Sequence, residues 1–172
     1  MNFHEKTLNE KVIYQGNYLT FINIDVKLPN GKISNRDIIK HPGACAILPF
    51  LTDNKILLIE QFRKALEKNI LEIPAGKISK NEDPLICAHR ELEEETGYKA
   101  KEMTYLGSIA TAPGFCDEII HLYKATNLYK GTKSCDEDEF TDIKIFTLDE
   151  IKDMIRNGDI IDTKTISILS FL

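Results

Sequence analysis

GKISKNEDPLICAHRELEEETGY, residues Gly76 to Tyr98, is the stretch from which the rest of the chain is read. Its second half predicts a helix. Asp83 suits the N-cap, Pro84 the first helical position and Gly97 the C-terminal stop. Leu85, Ala88 and Leu92 recur at i, i+3 and i+7 and predict one apolar face. Glu91, Glu94 and Glu95 fall together on another face, because residues three and four apart are helix neighbours. That acidic face is costly. Like charges at i, i+4 cost roughly 0.2–0.5 kcal/mol per pair, and the C-terminal end of a helix disfavours anions. A divalent cation would remove both penalties, and clustered carboxylate oxygens suit hard ions such as Mg²⁺ or Mn²⁺. The alternative is a solvated acidic face, the commoner reading of a bare charge run.

Composition bounds the possibilities. A chain of 172 residues with 42% hydrophobic residues can bury a sizeable core, as one domain or one domain with a small N-terminal addition. The formal net charge of −5 gives no general attraction to nucleic acid or to an anionic membrane. An anionic substrate would need local help from a metal and a few Arg or Lys side chains. Cys45, Cys87, Cys116 and Cys135 are widely spaced without a C-x-x-C pair, and Cys116 reads as a packing or loop residue. The N-terminus lacks an apolar signal core, and no run approaches the length of a membrane span, so a cytoplasmic protein with reduced thiols is expected. The histidines His4, His41, His89 and His121 show no metal-ligand spacing.

Periodicity sets the remaining elements. Lys11–Gln15 suits a first strand. Phe21–Leu28 alternates, with Ile22, Ile24, Val26 and Leu28 on one face and Asn23, Asp25 and Lys27 on the other. Pro29-Asn30-Gly31 is a hairpin turn returning into Lys32–Lys40, and His41-Pro42-Gly43 is a break. The apolar runs Ala44–Leu51 and Lys55–Phe62 suit strands covered on both faces. Arg63–Asn69 reads as a charged loop and Ile70–Ala75 as a short strand. Later strands are expected at Met103–Ala110, Ile119–Ala125 and Ile143–Thr147, and helices at Leu148–Arg156 and Thr163–Leu172. Strands, a helix, more strands and then helices predict an α/β or α+β architecture. The expected division is an N-terminal strand region over residues 1–41 and a main domain over residues 42–172.

The spacing of Gly76, Glu82, Arg90, Glu91, Leu92, Glu94, Glu95 and Gly97 resembles the Nudix box. The one departure is Tyr98, aromatic where that family usually carries an aliphatic residue. EQFR (Glu60 to Arg63), LEIPAG (Leu71 to Gly76) and TAPGFCDE (Thr111 to Glu118) look like the ADP-ribose pyrophosphatase branch, with Pro113 sixteen positions past Gly97. The resemblance spans roughly residues 20–150 and is strongest from residue 55 to 118. It implies a mixed β-sheet between helices, preceded by an N-terminal antiparallel β-hairpin. It also implies Mg²⁺- or Mn²⁺-dependent hydrolysis of ADP-ribose to AMP and ribose 5-phosphate. Alternatives are another nucleoside diphosphate sugar as substrate, or a silent Nudix domain that only binds ADP-ribose.

The resemblance carries roles residue by residue. Glu91 and Glu95 are implied as metal ligands, Glu94 as a shared ligand, and the Ala75 carbonyl as a further one. Arg90 is expected to orient the glutamates and Glu82 to hold the loop. Arg63 carries over as a phosphate contact, since a guanidinium fork suits phosphate oxygens. The base for the attacking water is expected in CDEDEF (Cys135 to Phe140), with Glu139 first and Glu137 second; a merely solvated acidic loop is the other reading. Glu118 near Pro113 is a candidate for the terminal ribose or a metal. Arg36 is placed near the adenosine, where a surface strand arginine is the plain alternative. Close relatives dimerise through N-terminal strands, so a homodimer is expected.

Overall fold

The computed structural model describes residues 2–134 and 140–172. The chain forms two compact units, one of Met1–Gly43 with Ala110–Ile119 and one of Ala44–Ile109 with Ile120–Leu172.

The first unit is built on a three-stranded sheet in the order β1 (Lys6–Gln15), β2 (Thr20–Lys27), β3 (Ile33–Lys40), with both pairings antiparallel. Alternation along β2 buries Ile22 and Val26, while its polar face pairs across to β3. Asn23 Nδ2 donates to Asp37 at 2.7 Å and Asn35 Nδ2 donates to Asp25 at 2.9 Å. β1 begins five residues earlier than the pattern predicts. Residues 6–10 are exposed and lack apolar alternation, and backbone pairing with β2 extends the strand instead. The segment Ala110–Ile119 belongs to this unit because it lies along β3. Ile39 N donates to Phe115 O at 2.7 Å, and Asp117 N donates to Ile39 O at 3.2 Å.

The second unit holds a mixed sheet. Its strands are β4 (Ala44–Thr52), β5 (Lys55–Arg63), β6 (Lys68–Glu72), β7 (Ala75–Lys77), β8 (Tyr98–Ala110), β9 (Ile119–Lys130) and β10 (Thr141–Thr147). The order is β10-β5-β4-β9-β8, with β6 beside β5 and β7 beside β4. β4 runs parallel to β9 and antiparallel to β5 and β7. Residues of β4 alternate between two cores, which is why its sequence is apolar throughout. Ala44, Ala46 and Leu48 pack with Ile151, Ile160 and Ile168, from α2 (Leu148–Asn157), the following loop and α3 (Thr163–Ile168). Cys45 and Ile47 pack with Cys87, Ala88 and Leu92 from α1 (Pro84–Thr96). The sheet is therefore sandwiched between helices.

Three expectations are corrected. The charged stretch after Arg63 is a hairpin connection, because β5 runs through Arg63 and β6 starts at Lys68, with Glu67 at φ +53° in the turn. Leu85 is not part of the buried face of α1; it is 42% exposed, and Cys87 is buried beside Ala88 instead. The last helix stops at Ile168 and tightens into a 3₁₀ turn over Leu169–Phe171, leaving Phe171 and Leu172 exposed.

Candidate active site

The caps of α1 fix where its carboxylates stand. Asp83 accepts from Leu85 N at 2.8 Å, Pro84 occupies the first turn, and Gly97 ends the helix at φ +68°. The Gly97 N–H donates to Glu93 O at 2.7 Å. Ahead of the helix, Asn81 at φ +65° lets the chain turn so that Glu82 N reaches Ser79 O at 2.9 Å and Ser79 N reaches Glu82 Oε2 at 2.8 Å. Asparagine tolerates this left-handed backbone.

Arg90 gathers the acidic side chains. Its Nε and Nη2 donate to the two oxygens of Glu82 at 2.8 and 2.9 Å, a bidentate fork. Nη1 donates to Glu91 Oε1 at 2.6 Å and to Glu94 Oε2 at 2.9 Å, and Nη2 also reaches Lys77 O at 3.1 Å. The hydrogen bonds from Arg90 and from Ser79 N pull Glu82 down to a pKa of about 2. Glu82, Glu91 and Glu94 in turn hold the guanidinium above its ordinary range. Two of the three glutamates on this face are buried, Glu91 at 8% and Glu95 at 3% exposure, while the Glu94 side chain stays 36% open.

β7 closes the site from the other side. Ala75 N donates to Glu95 Oε2 at 2.9 Å. At Gly76 the backbone approaches α1 so closely that a Cβ there would stand 1.9–2.1 Å from the Glu91 carboxylate. Any larger residue at that position would displace the Glu91 carboxylate from where it stands. β4 sets this approach through the pairing of Cys45 with Gly76 and Ala46 with Ala75. Among the described residues no three His, Cys, Asp or Glu side chains form a ready metal cluster. The donor chemistry nevertheless fits a hard divalent ion. Two buried carboxylates, Glu91 and Glu95, meet the backbone of Ala75 and Gly76 at a cradle free of side-chain bulk.

The other expected site residues are distributed as follows. Arg63 forms a two-bond fork with Glu72, Nε to Oε1 and Nη2 to Oε2, both 2.8 Å. In the first unit, Arg36 forks onto Glu5 at 3.0 and 2.6 Å. Glu118 accepts from Thr111 Oγ1 at 2.6 Å and stands 3.5 Å from His41 Nε2, and Pro113 is exposed. Glu137 and Glu139 lie outside the described residues. The residues flanking them are tied to α1: Ser134 N donates to Glu94 O at 3.0 Å and Thr141 Oγ1 to Glu95 O at 3.3 Å.

Sequence reading assigned no role to Glu72 or Lys164, which the structure buries together in an ion pair. Glu72 carried a signal, its place inside LEIPAG; Lys164 carried none, because a lysine in an amphipathic segment reads as surface.

Residues 39–166 match the model of the NUDIX domain. The chain is 49% identical over 172 residues to the methanol dehydrogenase activator of Bacillus methanolicus, covering 99% of this chain and 93% of that protein. It is 43% identical over 173 residues to an ADP-ribose pyrophosphatase of Bacillus subtilis (strain 168), covering 99% and 94%. The crystal structure of an ADP compounds hydrolase has the same fold, with a TM-score of 0.87, 22% identity, and 99% and 94% coverage. With its glycine cradle, its arginine-braced glutamates and these likenesses, the chain belongs to the Nudix family.

Proposed function

We propose that this chain hydrolyses the diphosphate of ADP-ribose to AMP and ribose 5-phosphate by water attack on phosphorus. The observation that carries the reading is the close approach of Gly76 to Glu91, with Glu95 bonded to the neighbouring Ala75 N–H. The likeness to an ADP-ribose pyrophosphatase over nearly the whole chain supports the substrate.

Glu91 and Glu95 would hold Mg²⁺ or Mn²⁺, with Glu94 and the Ala75 carbonyl as further ligands. When bound, such an ion neutralises phosphate charge and lowers the pKa of a water. The chain's own residues do the rest. Arg90 holds Glu82, the loop and the other glutamates in place through six hydrogen bonds to side chains and backbone. Arg63 presents its guanidinium to a phosphate oxygen. Glu139, or failing it Glu137, takes the proton of the attacking water. The described residues on either side of that segment, Ser134 and Thr141, are anchored on the last turn of α1, which supports this reading. Arg36, Pro113 and Glu118 serve the nucleoside and terminal ribose.

A homodimer through the N-terminal strands is part of this reading. It is supported by β1, exposed along its whole length, with Leu8, Val12, Ile13 and Tyr14 between 47% and 67% open. No helix among the described residues is long and apolar enough to cross a membrane. Free thiols at Cys45, Cys87 and Cys116 suit a reducing compartment, and the cytoplasm is the proposed location.

The test is a substrate panel with Mg²⁺ comparing ADP-ribose, ADP-glucose, GDP-mannose, NADH and diadenosine polyphosphates. ADP-ribose is expected to give the highest kcat/KM, and AMP and ribose 5-phosphate are the expected products. A higher kcat/KM on another of these compounds overturns the substrate assignment. The likeness to the methanol dehydrogenase activator favours a second reading, stimulation of a dehydrogenase. Adding the chain, or its Glu95→Gln variant, to an alcohol dehydrogenase assay distinguishes a stimulation that needs hydrolysis from one that needs binding alone.

A further inference from the structure

We propose that Lys164, on the C-terminal helix α3, is a positioning residue that keeps Arg63 available to the diphosphate. The inference rests on the reading of Arg63 as a phosphate contact. It starts from Glu72, whose side chain is 1% exposed and carries a charge that must be compensated where it stands. Two cations meet it. Arg63 forks onto it with Nε and Nη2, and Lys164 Nζ bonds to Oε2, the oxygen that also accepts from Arg63 Nη2. Lys164 is itself only 10% exposed in its side chain and bonds to Asp162 at 3.0 Å. Charges therefore alternate along one string: Asp162, Lys164, Glu72, Arg63. Its most open cation is Arg63, 41% exposed.

The inner end of the string is rigid. Asp162 caps α3, accepting from Thr165 N at 2.9 Å and from Thr165 Oγ1 at 2.6 Å. The same Thr165 Oγ1 accepts from Ile73 N at 2.9 Å, so α3 is fastened to the residue next to Glu72. Ile73 leads through Pro74 to Ala75, whose N–H holds Glu95. One short helix thus braces both the Arg63 partner and the strand that carries the metal cradle.

The electrostatic consequence is specific. With Lys164 present, two cations balance two carboxylates, and Glu72 is shared between Lys164 and Arg63. Arg63 spends Nε and Nη2 on orientation, and its Nη1 edge is not committed to Glu72. Without Lys164, Glu72 and Asp162 together outweigh Arg63. The guanidinium is then held more tightly to Glu72, and the potential felt by an incoming phosphate becomes more negative. A buried ion pair is weak evidence for stability as such, since apolar replacements often serve as well. A role exercised through Arg63 gives the pair a function.

The test is a double-mutant cycle on the full chain, assayed on ADP-ribose with Mg²⁺. Arg63→Ala, Lys164→Met and their combination are compared with wild type, with KM, kcat and thermal midpoint measured for each. Lys164→Met is expected to lower kcat/KM by about tenfold, chiefly through KM, and to add no further loss in the Arg63→Ala background. Lys164→Arg is expected to restore the KM. Equal losses from Lys164→Met with and without Arg63 overturn the inference while leaving the phosphate contact standing. Unchanged kinetics in Arg63→Ala overturn the phosphate contact, and the inference with it. If Lys164→Met does not fold, Lys164→Gln removes the same charge while leaving a polar side chain for Glu72 and Asp162 to meet. A smaller KM rise that vanishes in Arg63→Ala then supports the inference, and a rise that persists overturns it.

Discussion

Replacing Gly76 by alanine tests the cradle with the smallest possible perturbation. The added Cβ would lie 1.9 Å from the Glu91 carboxyl carbon and 2.0 and 2.1 Å from its oxygens. Ordinary carbon contacts need about 3.5–4.0 Å, so the carboxylate must retreat by roughly 1.5–2 Å. Glu91 is a flexible side chain and can swing, but it is 8% exposed and bonded to Arg90 at 2.6 Å. Breaking a bond to a charged partner costs about 1.5 kcal/mol at the low end. That is a midpoint loss of ~3–6 °C for a chain of this size. Activity should suffer more, because a misplacement of about 1 Å in a catalytic group costs roughly 100-fold. Steady-state hydrolysis at saturating Mg²⁺, beside a thermal melt, reads both. A Gly76→Ala protein that keeps half its wild-type kcat/KM would refute the argument that the backbone approach at Gly76 sets the position of Glu91.

Other consequences can be checked alongside. Glu82 has a folded-state pKa of about 2 against an ordinary 4.5. Its contribution to stability is therefore complete above about pH 4.5 and is lost as pH falls toward 2. Glu82→Gln should flatten the acid limb of a stability–pH curve over that window, and an unchanged limb contradicts the Arg90 assignment. Thr147 and Glu150 form a reciprocal cap on α2. Thr147→Ala should cost about 1 kcal/mol, ~2–4 °C in the midpoint, with kcat/KM unchanged. Glu139→Gln should lower kcat far more than it weakens substrate binding; a crippled Glu137→Gln beside a mild Glu139→Gln reverses the choice of base.

The legible parts of this fold were local. Asp83, Pro84 and Gly97 announce α1 because capping is a property of a few adjacent residues. Pro29-Asn30-Gly31 announces the hairpin for the same reason. The glutamate spacing carried the site, since a helix converts sequence distance directly into spatial distance. What the sequence did not disclose depends on partners far along the chain. Leu85 and Cys87 are both apolar candidates on α1, and only the pairing of α1 with β4 buries Cys87 and leaves Leu85 open. The parallel register of Ala44 with Ile120 has no local marker. Lys164 looks like surface until Glu72, 92 positions away, is seen to bury it.

On the proposed function, Glu95 and Glu91 would hold the ion at which a diphosphate is cleaved. The direct measurement is ADP-ribose turnover by wild type and Glu95→Gln, each with Mg²⁺ and again with excess chelator, with folding verified by melting. Wild type should release AMP and ribose 5-phosphate and fall silent in chelator. Glu95→Gln should remain folded and lose about 100-fold or more in kcat. Near-normal turnover by Glu95→Gln, or hydrolysis that persists in chelator, would contradict the account.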